Sequence, residues 1–265
     1  MHLLVCVKQT PKTDNVKINP ATGCLLRTGA QSAINPFDEY ALEQAVMLKE
    51  QQGGSVSVIT MGPPQAEDVL RDSIARGADE VFLLSGAEFA GSDTWSTSYA
   101  LAKGVQKISQ KSPADLIICG LQSNDSDTGH VGAQLAAWLN YPYAGDVQKI
   151  LEVTPQSVVV LSLADEGKNI LELPFPCVIS VSKDIVSPRV RSVKDRLRAK
   201  TAPITMWTAD DIGADKNKLG LNNSPTRVVK SFAPERATTA QTIDGATPQE
   251  KAEKLAALLK ENHYI

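Results

Sequence analysis

The feature that most constrains the fold of this chain is an alternation of short apolar runs with longer segments of helical periodicity. The apolar runs are Leu3–Val7, Val56–Thr60, Glu80–Leu84 and Leu116–Gly120. The segments between them, with apolar residues at helical spacing, are Phe37–Lys49, Gln65–Gly77 and Thr94–Ser109. A β-α-β-α order of this kind predicts a parallel sheet with helices on its faces. Continuously apolar strands suit a sheet that is covered on both sides.

The pattern changes after residue 140. Three further strand-like segments, with a turn at 165–168, are Val158–Leu163, Ile170–Leu173 and Val178–Val181. We expect them to extend the sheet as antiparallel strands. After Pro188 we expect little periodic structure until a helix at Pro248–Asn262, which Thr247 can cap. The predicted fold class is α/β, a parallel sheet with flanking helices, an antiparallel β extension and a C-terminal arm ending in a helix.

Charge and hydropathy exclude several classes of protein. The chain has 265 residues, of which 27 are basic and 30 acidic, and a net charge of −3. It therefore has no global attraction for nucleic acid or for an anionic membrane. No apolar stretch approaches the ~18 residues that a membrane-spanning helix requires. The first apolar run has neither a preceding basic region nor a following cleavage site, so we interpret it as a strand. We expect a cytoplasmic protein without membrane insertion.

Cysteine and histidine form no recognisable metal or redox motif. Cys6, Cys119 and Cys177 lie within apolar runs, and no C-x-x-C spacing occurs among these residues and Cys24. We therefore expect the first three to be small hydrophobic residues of the core. The three histidines are scattered along the chain, and we expect no metal site.

Two candidate loops are expected at the carboxyl ends of the first two strands, where parallel α/β sheets bind ligands. The first, Asn35–Tyr40, begins a helix, but Asn35 and Asp38 are equally typical of ordinary helix capping. The second, Thr60–Pro64, contains Gly62, whose missing side chain would permit the close approach of a flat ring. An ordinary strand-to-helix turn explains this loop as well.

The loop at residues 120–132 is the most informative. It follows the fourth strand, opens a helix, and is rich in small and hydroxyl residues. Free backbone amides and the helix dipole attract a phosphate at such a position. Because two aspartates would repel the anion, we expect contacts from backbone amides and from the hydroxyls of Ser126 and Thr128. Asp125 and Asp127 would hold the loop itself. A capped surface loop is the alternative, and the common G-x-G-x-x-G and Walker fingerprints are absent.

A fourth segment, residues 86–98, follows the third strand. Asp93 or Thr94 can cap the helix that comes next. The hydroxyl residues around them could equally hydrogen-bond a polar ring system such as a flavin.

Together these segments resemble one family, the electron-transfer flavoprotein β subunits. The matching residues, in order along nearly the whole chain, are Leu3–Gln9, Asn35–Glu43, Val58–Pro64, Arg76–Asp79, Ser224–Thr226 and Lys230–Phe232. Phe89–Ser98 and Lys230–Phe232 are similar to the electron-bifurcating branch, in which this subunit holds a second FAD and splits the electrons of NADH. In the other branch the subunit holds AMP. The loop departs from the usual family sequence at Leu121, which replaces an arginine.

The resemblance implies a Rossmann-like, adenine-nucleotide-binding domain at 1–204 and an arm at 205–265 that packs on a partner α subunit. The residues implied to hold adenosine are Cys6, Asn35, Phe37, Asp38 and Met61. Those implied to hold the diphosphate are Ser123, Asn124, Asp125, Ser126, Asp127, Thr128, Gly129, His130, Val131, Gly132 and Gln134. Asp93, Thr94 and Thr97 would lie near the flavin ring, where NADH docks. No catalytic acid or base is implied, because FAD carries the redox chemistry.

The resemblance also implies function and partners. The subunit would accept hydride from NADH and divide the electrons between ferredoxin or flavodoxin and a flavin-dependent dehydrogenase, which is reached through the α subunit. The basic stretch Arg189–Lys200 would dock the dehydrogenase. Two alternatives stay open: a non-bifurcating electron carrier that holds AMP, and a colourless nucleotide-binding module of the stress-protein type.

Overall fold

The computed structural model describes residues 1–12, 17–18, 25–26, 32–183, 185–229 and 240–265. Cys24 and Lys230–Phe232, which enter the sequence predictions, lie outside the described residues. The chain divides into two compact units, Met1–Val229 and Lys230–Ile265.

The first unit is built on thirteen described strands. In chain order they are β1 His2–Cys6, β2 Gln9–Pro11, β3 Lys17–Ile18, β4 Leu25–Leu26, β5 Ser32–Ile34, β6 Ser55–Met61, β7 Glu80–Leu84, β8 Leu116–Gly120, β9 Tyr143–Val153, β10 Ser157–Ala164, β11 Gly167–Pro174, β12 Cys177–Val181 and β13 Thr205–Trp207. Nine of them form one sheet in the order β11-β10-β9-β12-β8-β1-β6-β7-β13, while β2 pairs with β5 and β3 with β4.

The direction of winding reverses at β1. This strand is parallel to β6 on one side and to β8 on the other. From β1 the chain proceeds outward through β6 and β7, and then returns to β8 on the opposite side of β1. Such a reversal is a topological switch point, and it lies here between β1 and β8.

Helices cover both faces of the sheet. They are α1 Pro36–Gln52, α2 Glu67–Arg76, α3 Thr94–Ser109, α4 Val131–Leu139, α5 Val193–Thr201 and α6 Gly220–Asn223. Side chains alternate along each strand, so Leu3 and Val5 pack with α1 and α2, whereas Leu4 and Cys6 pack with α3 and α4. This two-sided burial explains why the central strands are continuously apolar. The predicted α/β class with a largely parallel sheet is confirmed.

One prediction about strand direction is wrong. Val178–Val181 was expected to be antiparallel, but β12 is parallel to both β8 and β9 and lies between them. All five of its residues are buried, so it is a central strand rather than part of the extension. The antiparallel extension consists of β10 and β11, which continue the sheet beyond β9.

The segment after Pro188 contains structure that the sequence prediction missed. Residues Val193–Thr201 form α5, and Ser192 caps this helix by accepting a hydrogen bond from the amide of Asp195 at 3.1 Å. Only Ala199 in the helix is buried, so the segment has almost no apolar periodicity from which a helix could be recognised.

The first unit also extends further than residue 204. Thr205–Trp207 pairs with β7 as an edge strand, and Ala209, Ile212 and Leu219 are buried against the α3 side of the sheet. The predicted boundary between residues 204 and 205 therefore falls inside a compact unit.

The part of the second unit that the structure describes, residues 240–265, contains one helix, α7 Pro248–Glu261. Thr247 accepts a hydrogen bond from the amide of Glu250 at 3.2 Å, and the Glu250 carboxylate accepts one from the amide of Ala246 at 2.9 Å. The predicted helix and its N-cap are thus confirmed. None of its residues is buried, and Leu255 is 43% exposed.

Candidate functional site

The candidate site lies at the switch point, where the loops after β1 and β8 meet the start of α1. Because these two strands are adjacent and parallel, with Cys6 opposite Cys119, their carboxyl ends lie side by side. A Cβ atom on Gly120 would come within 2.8 Å of the backbone carbonyl carbon of Phe37. Only glycine therefore lets the loop after β8 approach α1 this closely.

Asn35 joins the start of α1 to the loop after β8. Its side-chain amide donates to the carbonyl of Gln122 at 2.8 Å, and its carbonyl oxygen accepts from the amide of Asn124 at 3.1 Å. Asn35 occupies the N-cap position, but its side chain makes no capping hydrogen bond. The capping interpretation of this residue is therefore wrong. The side chain, which is 1% exposed, instead satisfies two backbone groups of the candidate phosphate loop.

Asp38 is a buried carboxyl at the centre of the site. Its Oδ2 atom accepts the backbone amide of Lys8 at 2.7 Å, so it binds the end of β1 rather than reaching back to cap its own helix. Burial raises the pKa of the Asp38 carboxyl to about 7, although the Lys8 amide, the Asn35 side chain, the Lys8 charge and the Gly120 amide act in the opposite direction.

The raised pKa of Asp38 predicts a specific dependence of stability on pH. The pKa of Asp38 is higher in the folded chain than in the unfolded one, so the protonated carboxyl favours the folded state. This contribution to the free energy of unfolding is complete below about pH 4 and is lost as pH rises through 7. The loss should approach roughly 1.4 kcal/mol per pH unit within that window. Thermal unfolding of the assembled complex between pH 5 and 8 measures it.

Asp38→Asn should flatten this pH dependence, because the amide does not titrate. Asp165→Asn, in the exposed turn between β10 and β11, is the matched control and should leave the slope as in the wild type. Equal slopes for Asp38→Asn and the wild type would show that Asp38 does not titrate in this window.

Lys8 is the residue of the site that the sequence prediction did not single out. Its ammonium group donates to Asp125 at 2.6 Å, to Ser123 Oγ at 3.1 Å and to Ser126 Oγ at 3.4 Å. Asp125 thus ties the loop to Lys8, just after β1. The side chains lie 115 to 118 positions apart in sequence, so no local motif could reveal the contact.

The second half of the loop presents free hydrogen-bonding groups. Asp127 and Gly129 have positive φ angles of 56° and 66°, which turn the chain into α4. Within the described part of the chain, no group accepts from the amides of residues 131–133 or bonds the hydroxyl of Thr128. The Oε1 atom of Gln134 is buried and also has no partner there. The amides of residues 131–133 and the Thr128 hydroxyl are donors at a helix N-terminus, and such donors fit a phosphate-bearing ligand.

Asp93, at the start of α3, has its carboxylate engaged by the chain itself. One oxygen accepts from the Ser96 amide at 3.0 Å and caps α3, and the other accepts from the amide of Thr226 at 2.9 Å. Burial alone would raise the pKa of Asp93, but these hydrogen bonds outweigh it and hold the pKa below its ordinary value. Asp93 therefore also fastens the tail segment 224–226 to α3.

The hydroxyls of Thr94 and Thr97 form no hydrogen bond with any residue that the structure describes, and both side chains are half-buried. They stand on the first turn of α3, after the loop that follows β7. Beside them, Trp95 packs edge-on against Trp138 of α4 with ring centroids 5.1 Å apart. These threonines lie at the same carboxyl edge of the sheet as the switch point, because β1, β6 and β7 are parallel.

Cys6 and Met61 complete the set of predicted residues near β1 and β6. Cys6, Cys119 and Cys177 are buried in the core, as expected. Hydrogen bonding to Cys119 and burial raise the pKa of the Cys6 thiol well above its ordinary value, so it stays neutral. Met61 is half-buried at the carboxyl end of β6.

The described residues contain no group of three or more histidine, cysteine or acidic side chains that could hold a metal ion. None of the helices in this part of the chain has both the length and the hydrophobicity of a membrane-spanning segment.

A doubly wound α/β sheet with polar loops gathered at its switch point defines a class of protein that binds ligands at this edge. The chain belongs, within that class, to the electron transfer flavoprotein family, whose domain model matches residues 22–212. Several relatives align over nearly their full length, three of which follow.

The first relative is the caffeyl-CoA reductase-Etf complex subunit CarD of Acetobacterium woodii, which is 41% identical over 100% of both chains. The electron transfer flavoprotein subunit beta of Clostridium acetobutylicum is 40% identical, also over 100% of both chains. Protein FixA of Azotobacter vinelandii is 38% identical over 99% of this chain and 96% of its own. The resemblance to β subunits of this family is thereby confirmed.

Proposed function

We propose that this chain is the β subunit of an electron-bifurcating flavoprotein complex. It would bind FAD, accept hydride from NADH, and divide the electrons between ferredoxin or flavodoxin and a flavin-dependent dehydrogenase reached through the α subunit. The observation that supports the proposal most strongly is a set of donors at the start of α4 that no described group accepts from, namely the Thr128 hydroxyl and the amides of residues 131–133. They fit the phosphates of a dinucleotide cofactor.

The adenosine part of FAD would lie against the ends of β1 and β6. Cys6, Phe37 and Met61 would supply apolar contacts, while Asn35 and Asp38 keep the surrounding backbone in place through the hydrogen bonds described above. Because Asn35 and Asp38 already satisfy backbone groups, their role toward the nucleotide is to position the loop rather than to bind the base.

The diphosphate would be held by residues 123–134. The Thr128 hydroxyl and the amides of residues 131–133 can donate to it, and the Asp125 carboxylate keeps the first half of the loop in place through Lys8. FAD supplies the redox chemistry when bound. The chain positions it, and Thr94 and Thr97 would line the edge of the ring and leave space for the nicotinamide.

Replacing Thr128 with valine tests the phosphate contact. The substitution removes one donor to a charged group and keeps the shape, which costs roughly 1.5–3 kcal/mol, or ~10–150-fold in nucleotide affinity. The FAD content of the purified complex after dialysis measures the loss. Thr128→Ser keeps the hydroxyl and should retain FAD. If valine and serine variants retain FAD equally, Thr128 does not bind the phosphate.

The dehydrogenase would dock on α5. This helix presents Leu197, which is 59% exposed, and Arg196, which has no hydrogen bond or ion pair from its guanidinium to any described residue. Arg198 differs, because its guanidinium donates to the carbonyl of Ile74 at 3.1 Å and so serves the fold. Docking is therefore assigned to Arg196 rather than to both arginines.

Arg196→Glu should slow electron delivery to the dehydrogenase by roughly three- to tenfold at low ionic strength, with a smaller effect at high salt, because exposed charges steer association. Reduction of the flavin by NADH should be unchanged. Lys168→Glu, an equal charge change on the β10–β11 hairpin, is the control. An Arg196→Glu complex that delivers electrons at the wild-type rate would argue against docking on α5.

A further inference from the structure

Among the residues that the structure describes, Lys8 is the cation that reaches the candidate phosphate loop. No lysine or arginine occurs between Lys111 and Lys149, so the loop carries no strong cation of its own. It does carry Asp125 and Asp127, which would repel a bound diphosphate. The ammonium of Lys8 crosses from the end of β1 and bonds Ser123, Asp125 and Ser126.

The Lys8 ammonium has a buried partner on one side and solvent on the other. Asp125, its nearest partner at 2.6 Å, has a side chain only 6% exposed, whereas the Lys8 side chain is 40% exposed. The carboxylate therefore fixes the ammonium from the protein side, and the other side stays open to solvent. An ammonium has three donors, and all three have acceptors here, so an anion in the loop would replace the longest of these bonds, the one of 3.4 Å to Ser126 Oγ.

Lys8 is also fixed by its backbone. Its amide donates to the buried Asp38, so the residue is bound at its main chain by α1 and at its ammonium by the loop after β8. A long side chain held at both ends loses less conformational entropy when it binds a ligand than a free one does.

We propose that Lys8 is a phosphate-binding residue of this subunit, which neutralises the diphosphate of an adenine nucleotide, and that Asp125 is the residue that positions it. This assignment rests on the proposed nucleotide-binding function. The alternative is that the Lys8–Asp125 pair only ties the loop to β1. A phosphate-binding Lys8 would contribute to the affinity for the phosphates alone, whereas a purely structural pair would contribute equally to the affinity for every part of the ligand.

The experiment compares adenosine with ADP, which differ only in the diphosphate. Both are titrated calorimetrically into the complex of this chain with its α subunit, after the bound nucleotide has been removed. Lys8→Met, which keeps the length of the side chain without its charge, should weaken ADP by roughly 10- to 100-fold. Adenosine should bind within about threefold of the wild type. Lys8→Arg should restore most of the ADP affinity.

Asp125→Asn distinguishes the two hypotheses, because it weakens the ion pair with Lys8 but leaves the Lys8 ammonium in the site. It should reduce the affinity for ADP clearly less than Lys8→Met does. The assignment would be overturned if Lys8→Met weakened the binding of ADP and adenosine equally. It would also be overturned if Lys8→Met and Asp125→Asn weakened ADP binding equally, or if Lys8→Met changed neither affinity. A wild-type complex that binds neither compound would overturn the proposed function, and the assignment with it.

Discussion

Replacement of Thr97 by phenylalanine is expected to abolish NADH oxidation by the complex while FAD stays bound. Thr97 stands on the first turn of α3, its side chain is half-buried, and its hydroxyl has no partner among the described residues. Hydride transfer requires donor and acceptor atoms roughly 3–3.5 Å apart, and a displacement of about 1 Å can cost 100-fold in rate. A phenyl ring at this position would occupy the space that the nicotinamide needs.

The measurement is the rate of flavin bleaching by NADH in stopped flow, with the FAD content determined in parallel. We expect a decrease of at least about 100-fold for Thr97→Phe. Thr97→Ser, which preserves both the hydroxyl and the small volume, should react at close to the wild-type rate. A phenylalanine variant with full FAD content and wild-type bleaching would place the NADH site elsewhere.

The second large effect is expected at α7. On a helical projection Leu255, Leu258 and Leu259 lie on one side, and none of them is buried. We propose that this side binds the α subunit. Burying a leucine contributes roughly 1.5–3 kcal/mol, so Leu255→Asp combined with Leu259→Asp should weaken assembly by at least ~10²–10⁴-fold.

Ala257→Asp is the matched control, because it adds the same side chain on the opposite side of the same helix. It should leave assembly intact. Size-exclusion chromatography of the co-expressed subunits distinguishes the outcomes. The proposal for α7 fails if the double variant co-elutes with the α subunit, or if the control dissociates equally.

The sequence predicted the central strands well because burial on both faces leaves a strong signal. β7, β8 and α3 have the predicted bounds, and each contains several buried apolar residues. β9 was missed because only Ala144 and Val147 of its eleven residues are buried. The direction of β12 could not be predicted, since an apolar run fits a central strand of either direction.

For the site, the sequence indicated the right loops but not the contacts between them. The loop at 120–132 was identified from its composition, yet its long-range connections through Asn35 and Lys8 depend on how β1 and β8 pair. Asn35 shows the difficulty clearly. Its position before Pro36 is typical of an N-cap, and only the three-dimensional structure reveals that its side chain binds Gln122 and Asn124 instead.

The central claim is that this subunit holds FAD and receives hydride from NADH. The most direct test is to denature the purified complex and to identify the released nucleotides by chromatography, after recording whether NADH alone bleaches the flavin. We expect two FAD per heterodimer, no AMP, and bleaching before any dehydrogenase is added. Release of one AMP per heterodimer from a complex that does not react with NADH would contradict it and would identify a non-bifurcating electron carrier.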